Sequence, residues 1–223
     1  MISRNELAGI IDHTNVKPTA TTEDIKRLCN EAIKYGFKCV VINPTYVPLA
    51  VKLLKNYEVS VCSTVGFPLG VTLPEAKACE ARILAENGCK ELDMVINLSA
   101  LKSKDYAAVK NDIKAVVDIK RSHPDLIIKV IIETGYLTDE EKVVACKLCK
   151  ETGADFVKTS TGLLVGKATV EDIRLMRKTV GDEMGVKASA GIRTLKDALA
   201  MIKAGANRIG TSTGVQIIEE IKE

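Results

Sequence analysis

Short apolar runs and longer amphipathic segments alternate along the whole chain. The intervening segments, such as EDIKRLCNEAIKYG and EEKVVACKLCKETG, place apolar residues three and four positions apart, which is typical of helices with one buried face. The pattern predicts eight strands that alternate with helices. The strands are expected near 9–13, 38–42, 59–64, 91–96, 126–133, 155–159, 185–189 and 207–210.

The ends of the predicted helices carry capping signals. A Ser or Thr followed three residues later by an acidic residue predicts a capping box, because each side chain satisfies a backbone N–H of the other residue. A glycine at the end of a helical segment predicts a left-handed stop. The paired residues are Thr21/Asp24, Thr72/Glu75, Thr138/Glu141, Thr169/Asp172 and Thr194/Asp197, and the glycines are Gly36, Gly88, Gly153 and Gly205.

This order of elements predicts the fold class. Strands that alternate with helices form parallel sheets. Eight such units in 223 residues favour a closed (β/α)8 TIM barrel, an α/β fold, over an open sheet. A flavodoxin-like open sheet, with fewer true strands, is the alternative. No Pro/Ser-rich linker interrupts the pattern, so a single domain over residues 1–223 is expected.

Composition excludes several classes of protein. Hydrophobic residues make up 46% and charged residues 27%, and the net charge is only +3, with lysine and glutamate mixed along the chain. Without a basic patch, and with aromatic residues at 4%, nucleic acid is not an expected partner. No signal peptide and no apolar run of about 20 residues is present, so no membrane association is expected. Seven scattered cysteines indicate a reducing compartment, the cytoplasm.

Charged residues lie inside four of the predicted strands, among apolar or small neighbours. They are Asp93, Lys129, Lys158 and Lys187. A buried ammonium is costly unless it is paired or loses its proton, so each one alone could be a structural ion pair. Four of them on four neighbouring strands favour a functional site, because inward residues near the carboxyl ends of barrel strands converge on one pocket.

Three lysines and a carboxylate favour amine chemistry. A lysine attacks a carbonyl only as the free base, and its ordinary pKa of about 10.4 keeps it protonated at neutral pH. Burial and a second ammonium nearby lower that pKa and supply the nucleophile. A carboxylate in the same cavity can then transfer protons. The pattern therefore predicts a Schiff-base enzyme, without deciding which lysine reacts.

Small and polar residues follow three of the strands. The segments are 159–162, 189–193 and 210–214. Small residues let backbone N–H groups approach an anion, and the loops after the last two strands are the usual phosphate site of TIM barrels. A phosphorylated small-molecule substrate is therefore expected. Its predicted contacts are Thr159, Gly162, Gly191, Arg193, Gly210, Thr211 and Ser212.

No metal site or cofactor site is predicted. The chain has two histidines, His13 and His123, which are too few for a three-histidine zinc site. Cys146 and Cys149 form a C-x-x-C pair inside a helical pattern, without the second pair that structural zinc requires. Neither a dinucleotide-binding fingerprint nor a P-loop occurs.

Six stretches together resemble the deoxyribose-phosphate aldolase family. They are IDHT (11–14), VGFPLG (65–70), ELDMVIN (91–97), KVIIETG (129–135), DFVKTSTG (155–162) and KASAGIRT (187–194). The resemblance covers nearly the whole chain, from about residue 10 to 215. It implies a class I aldolase of the barrel fold. Such an enzyme reversibly cleaves 2-deoxy-D-ribose 5-phosphate to D-glyceraldehyde 3-phosphate and acetaldehyde, in deoxyribose catabolism.

The resemblance also implies a role for each charged strand residue. Lys158 matches the lysine that forms the Schiff base, and Lys187 matches the second lysine, which depresses the pKa of the first. Asp93 matches the carboxylate that relays protons through water. Lys129 is then a supporting charge that orients Asp93.

The chain departs from the family pattern at Ala190, where a glycine is usual. A methyl group there is expected to weaken phosphate binding if the backbone needs a positive φ. Three other functions stay open on the residues alone: a class I aldolase for another phosphorylated sugar, a barrel that only binds a phosphorylated metabolite, and a ring-opening isomerase. The sequence does not decide whether the chain forms a homo-oligomer.

Overall fold

The computed structural model describes residues 2–221 and has eight parallel strands that close into a barrel. Each strand pairs with the next one along the chain, and the last pairs with the first, with Ile11 opposite Ile209 and His13 opposite Thr211. The strands are β1 (Ile11–Asn15), β2 (Cys39–Ile42), β3 (Ser60–Val65), β4 (Glu91–Val95), β5 (Ile127–Ile131), β6 (Phe156–Lys158), β7 (Gly185–Ser189) and β8 (Arg208–Thr211).

The predicted TIM barrel is confirmed, and the open-sheet alternative is wrong, because an open sheet has no pairing between its first and last strands. All eight predicted strands overlap the observed ones. Residues 1, 222 and 223, which complete the predicted domain 1–223, lie outside the described residues.

Helices surround the barrel. They are α1 (Arg4–Ala8), α2 (Thr22–Tyr35), α3 (Val47–Leu54), α4 (Pro74–Glu86), α5 (Leu98–Lys102), α6 (Tyr106–Val117), α7 (Asp139–Thr152), α8 (Val170–Val180), α9 (Leu195–Ala204) and α10 (Gly214–Glu219). Between residues 2 and 221, no helix combines the length and the apolar character needed to cross a membrane.

The predicted helix starts are mostly correct. Complete capping boxes begin α2, α7 and α9 at Thr21, Thr138 and Thr194. Thr169 caps α8 by accepting a hydrogen bond from the N–H of Asp172, without the reciprocal bond. The box predicted at Thr72/Glu75 is wrong: α4 begins one residue later than that box requires, at Pro74, whose fixed φ suits the first helical position and which has no N–H to satisfy.

The predicted helix ends agree at three of four glycines. Gly36, Gly153 and Gly205 lie in the left-handed region directly after α2, α7 and α9. Helix α4 instead ends at Glu86 with Asn87 as its C-cap, and Gly88 follows with φ 99°. The glycine therefore turns the chain one residue after the C-cap.

The strands separate an apolar layer from a charged interior. In β4, Leu92 and Met94 belong to the hydrophobic core between strands and helices, whereas the alternate residues Glu91 and Asp93 contact buried cations inside the barrel. This alternation follows from the two-residue period of a strand. The barrel interior is therefore built around charge, and the outer layer supplies the hydrophobic stabilisation of the fold.

Candidate active site

A cavity of about 630 Å³ opens at the carboxyl ends of the strands. Its floor includes Lys158, at the end of β6, and its walls come from the segments that follow β1, β3, β6, β7 and β8. This is the end of the barrel at which enzymes of this fold place their chemistry. The cavity is large enough for a small phosphorylated sugar.

Asp93 lies directly beneath the cavity and contacts all three predicted lysines. Its Oδ2 accepts hydrogen bonds from Lys158 Nζ at 2.6 Å and Lys187 Nζ at 2.7 Å. Its Oδ1 accepts from Lys129 Nζ at 2.9 Å and from the thiol of Cys62 at 3.3 Å. The structure therefore brings the four predicted strand charges together around one carboxylate.

A second set of buried charges lies below Asp93. Arg208 Nη1 is 2.7 Å from Asp12 Oδ1 and 3.1 Å from Glu91 Oε2. Lys129 Nζ is 2.6 Å from Glu91 Oε2, and Lys187 Nζ is 2.5 Å from Asp12 Oδ2. Together with Asp93 and Lys158, these residues form one cluster that we call the barrel charge cluster: Asp12, Glu91, Asp93, Lys129, Lys158, Lys187 and Arg208.

Sequence reasoning did not identify Asp12, Glu91 or Arg208 as site residues. The same signal could have found them, because each is a charged residue in a predicted strand. Asp12 stands in the polar stretch IDHT, and Arg208 stands at the start of its strand, so neither interrupts an apolar run as Lys129 does.

The pKa values of the three lysines move in different directions. Burial lowers the pKa of Lys158, and although the charge of Asp93 opposes this shift, the charge of Lys187 adds to it. Burial also acts to lower the pKa of Lys187, but Asp12 and Asp93 outweigh it and raise that pKa. Lys129, among Asp93, Glu91 and Asp12, likewise has a raised pKa against the effect of burial.

The structure distinguishes Lys158 from the other two lysines. Its side chain is 4% exposed and lines the cavity, whereas Lys129 and Lys187 are fully buried. It is also the one of the three with a lowered pKa. An amine that is open to a ligand and releases its proton easily has the two properties that a nucleophile requires.

The predicted phosphate contacts lie mainly around the same cavity. Gly162, Gly191, Arg193, Gly210, Thr211 and Ser212 all line it. Thr159, also predicted as a substrate contact, does not line the cavity. Its hydroxyl donates to the carbonyl of Ser189 at 3.0 Å and accepts from the N–H of Ser189 at 3.1 Å. Because Lys158 points into the barrel, the next residue lies on the other face of the strand and joins β6 to β7.

Two positions show how closely the site is packed. A Cβ atom on Gly210 would lie 2.7 Å from Ser189 Oγ and 3.1 Å from Lys187 Cε, so glycine leaves the room that Lys187 occupies. Ala190 has φ 74°, in the left-handed region. The positive φ considered for this position is therefore present, and alanine adopts it with some backbone strain.

Glu133 is a further buried residue near the site that sequence reasoning missed. It follows β5 with φ 50°, an uncommon conformation for a residue other than glycine. Its Oε2 accepts a hydrogen bond from the N–H of Thr161, in the segment that carries Gly162. Burial raises the pKa of Glu133, against hydrogen bonds from Thr161 and the charge of Lys158. The sequence signal that could have identified Glu133 is an acidic residue directly after the apolar run of the motif KVIIETG.

One group of residues has the composition of a metal site. Donor atoms of Asp12, Cys39 and Glu91 lie within 4.8 Å of one another. The guanidinium of Arg208 contacts both carboxylates, and Lys129 contacts Glu91. Fixed cations therefore already neutralise these ligands, and burial raises the pKa of Cys39 well above its ordinary value, which disfavours the thiolate. This donor set does not fit a divalent metal ion.

Comparisons with known proteins agree with this geometry. The sequence model of the DeoC/LacD family aldolases matches residues 7–220. A deoxyribose-phosphate aldolase of Methanothermobacter thermautotrophicus is 61% identical over 219 residues, which cover 97% of this chain and 96% of that protein. One from Thermococcus kodakarensis is 60% identical over 220 residues, 98% of each chain.

Solved structures share the fold over nearly the whole chain, at lower sequence identity. A deoxyribose phosphate aldolase from Aeropyrum pernix, described as tetrameric, superposes with a TM-score of 0.91 at 37% identity, covering 97% of this chain and 91% of that one. A structure described as a putative deoxyribose-phosphate aldolase from Coccidioides immitis gives a TM-score of 0.93 at 41% identity, covering 98% and 87%. The resemblance predicted from six sequence motifs is confirmed. The chain belongs to the DeoC/LacD family of aldolases.

Proposed function

We propose that this chain is a class I aldolase that reversibly cleaves 2-deoxy-D-ribose 5-phosphate to D-glyceraldehyde 3-phosphate and acetaldehyde. The observation that carries the proposal is the amine of Lys158, which reaches the cavity while it shares one carboxylate oxygen with a second ammonium. The names of relatives at 60 and 61% identity support the substrate.

In this proposal the free amine of Lys158 adds to the C1 carbonyl of the open-chain sugar, and loss of water gives an iminium ion. The iminium accepts the electron pair of the C2–C3 bond as that bond breaks. The C3 hydroxyl loses its proton, so that C3 leaves as the aldehyde of glyceraldehyde 3-phosphate. The remaining enamine takes a proton at C2, and water then releases acetaldehyde and restores the amine.

Asp93 and Lys187 are placed to move protons during these steps. Once Lys158 is part of the iminium ion, a single N–H remains on its nitrogen, and Asp93 keeps its bonds to Lys187 and Lys129. Burial raises the pKa of Asp93, but the surrounding lysines outweigh it and hold that pKa well below its usual range. We therefore assign Asp93 to hydrogen bond and orient the water that carries protons, with Lys187 as the neighbouring donor and Lys129 as a supporting charge.

The phosphate is assigned to the part of the cavity wall that is formed by the segments after β7 and β8. Gly191 and the segment Gly210–Ser212 present small residues there, and Arg193 adds a positive charge. The hydroxyl of Thr211 donates to the carbonyl of Ile192 at 2.8 Å, which joins the two segments into one surface. An anion held there orients the sugar with its aldehyde toward Lys158. No cofactor is needed for this chemistry.

The test is reductive trapping. Incubation with 2-deoxy-D-ribose 5-phosphate and borohydride, followed by peptide mapping, is expected to place a stable adduct on Lys158. Lys158→Met should abolish the adduct, and Lys55→Met, at an exposed surface position, should not. An adduct on another buried lysine would overturn the assignment of the nucleophile. Cleavage without any adduct would overturn the class I mechanism, and the absence of both would leave a barrel that only binds phosphorylated ligands.

The same proposal includes a homo-oligomer in the cytoplasm. Leu69, Val71 and Leu73 form an apolar surface before α4, with exposed fractions of 57, 51 and 70%. Such a surface is typical of a subunit contact, and the Aeropyrum pernix relative is described as tetrameric. All seven cysteines are free, which suits a reducing compartment. Light scattering of the purified protein tests the assembly, and Leu73→Lys is expected to lower the measured mass.

A further inference from the structure

The barrel charge cluster contains an unequal number of charges. Its cations are Lys129, Lys158, Lys187 and Arg208, and its anions are Asp12, Glu91 and Asp93. With every group in its ordinary ionised form, the cluster would bury one net positive charge. Burial of an uncompensated charge is costly, so the cluster favours the loss of one proton.

The contacts decide which group loses that proton. A guanidinium does not deprotonate in proteins, which excludes Arg208. Lys129 lies 2.9 Å from Asp93 and 2.6 Å from Glu91, and Lys187 lies 2.7 Å from Asp93 and 2.5 Å from Asp12.

Lys158 contacts a single carboxylate, Asp93, and shares that carboxylate oxygen with Lys187. It is the cation with the least compensation. It therefore releases its proton at the lowest cost to the cluster.

We propose that Arg208 is a positioning residue that supplies the surplus positive charge of the cluster, and that this surplus, opposed by Glu91, leaves Lys158 as a free amine. The inference rests on the proposed function, because it concerns the same nucleophile. The inference adds Arg208 and Glu91, which do not line the cavity and which affect Lys158 only through the charges between them. Removing Arg208 would leave three lysines opposite three carboxylates, a balance in which Lys158 keeps its proton.

The position of Arg208 fits a purely electrostatic role. Its Nη1 bridges Asp12 and Glu91, and its guanidinium carbon lies 5.3 Å from the centre of the Phe156 ring. The contacts to Asp12 and Glu91 help to raise the pKa of Arg208 despite its burial, so its charge is permanent. Neither Arg208 nor Glu91 touches the cavity, so their replacement leaves the substrate contacts in place.

Every other strand also places a group near this cluster or near Lys158. β2 contributes the Cys39 thiol and β3 the Cys62 thiol, which donates to Asp93, and Glu133 lies above β5. Burial raises the pKa of both Cys39 and Glu133, which disfavours their charged forms. Within the described residues 2–221, none of these three groups forms an ion pair with a cation of the cluster, so the charge count keeps to the seven residues that are in direct contact.

The experiment measures the rate of reductive N-ethylation of the Lys158 peptide by acetaldehyde and cyanoborohydride as a function of pH, with the exposed Lys55 peptide as internal reference. The midpoint is the pH at which the labelling rate of Lys158 is half of its maximum. In Arg208→Met this midpoint is expected to rise by about one pH unit. That is the shift expected of a unit charge acting over about 10 Å at an effective dielectric constant of about 20. In Glu91→Gln the midpoint is expected to fall by a similar amount.

Two further variants separate charge from structural damage. Arg208→Lys keeps the charge and is expected to keep the midpoint of the wild type. The double variant Arg208→Met/Glu91→Gln restores the surplus of one cation, so its midpoint should return toward that of the wild type. Should Arg208→Met not fold, Glu91→Gln and Arg208→Lys still test the inference.

The outcomes distinguish the two proposals. Labelling of Lys158 with the same midpoint in Arg208→Met, Glu91→Gln and the wild type would overturn the inference and leave the proposed function standing. Midpoints that move in the same direction in both single variants would also overturn it, because general damage and not charge would then be the cause. Absence of labelling at Lys158 in the wild type at every pH would overturn the proposed function itself.

Discussion

Lys158 and Lys187 are partners across β6 and β7, and their amines bind the same oxygen of Asp93 at 2.6 and 2.7 Å. Two ammonium groups on one carboxylate oxygen repel each other, and Lys187 has a second carboxylate, Asp12, whereas Lys158 has none. The proton is therefore easier to remove from Lys158. Because Lys187 is the better paired of the two amines, Lys158 is the one that can more easily become the nucleophile that we propose.

Removal of the charge at Lys187 should shift the pH dependence of the reaction. Lys158 has a lowered pKa and, in the proposed mechanism, reacts as the free base, so cleavage activity is expected to rise with pH through that pKa. In Lys187→Met the repulsion is lost and the pKa of Lys158 rises, so the acidic limb of the kcat/KM profile should move up by one to two pH units, roughly the effect of one nearby charge. An unshifted limb with a uniformly lower rate would contradict this explanation.

Gly210→Ala should displace Lys187. The added Cβ would lie 2.7 Å from Ser189 Oγ and 3.1 Å from Lys187 Cε, which is too close for both atoms to stay in place. We expect at least a tenfold loss of kcat, on the order of 1.4 kcal/mol or more in the barrier, together with a loss of about 1–3 kcal/mol of stability from the extra atom in a packed site. The control is Gly210→Ala/Ser189→Ala, which removes the hydroxyl and should recover part of the rate. No recovery would place the conflict at another atom.

Ala190→Gly tests whether the departure from the family pattern is costly. The φ of 74° strains the folded backbone of alanine by roughly 1 kcal/mol, and glycine relieves that strain. Glycine also makes the unfolded chain more flexible, which lowers the free energy of unfolding by about the same amount. We therefore expect a small change in the free energy of unfolding, and a lower KM for the phosphorylated substrate because the loop adapts more easily. Ala190→Val, with a branched Cβ at positive φ, should lose about 2 kcal/mol of stability. An unchanged KM in the glycine variant would show that the methyl group does not impede phosphate binding.

A second buried ion pair, away from the cavity, should control stability. Lys77 Nζ lies 2.7 Å from Asp112 Oδ2 and also donates to the carbonyl of Val95, and both side chains are fully buried. Lys77→Met leaves an unpaired buried carboxylate, so we expect a loss of about 3 kcal/mol or more in urea unfolding. Lys77→Met/Asp112→Leu should be more stable than the single variant.

The sign of the pH dependence gives a further check on that pair. Burial raises the pKa of Asp112, against hydrogen bonds and charge from Lys77, so without Lys77 the folded protein favours the neutral acid. A folded-state pKa above the unfolded one stabilises at low pH, and that stability is lost as the pH rises through the folded-state value. Lys77→Met should therefore lose less stability at pH 5 than at pH 8. Equal losses at both pH values would mean that Asp112 stays charged.

The fold could be predicted from sequence because its signals are local and repeated. The strand runs and capping boxes at residues such as Thr21 and Thr194 depend only on near neighbours in the chain. The box at Thr72/Glu75 failed because Pro74 settles the helix start by itself.

The site could be predicted only in part. Lys129, Lys158 and Lys187 stood out because charge is rare inside apolar strands. Asp12 and Arg208 contact each other across 196 positions of the chain, and nothing local to either residue indicates a partner so distant. Thr159 was assigned to the substrate by its place in a polar loop, although the strand period turns it away from the barrel interior.

The closure of β8 onto β1 has a consequence for the newly made protein. Arg208 belongs to the last strand to leave the ribosome, and its partner Asp12 belongs to the first. Until the two meet, water reaches the interior and Lys158 keeps its proton as an ordinary surface lysine does. In a chain without β8, Lys158 is therefore expected to react with aldehydes no faster than an exposed lysine, and its enhanced reactivity arises in the same event that closes the barrel.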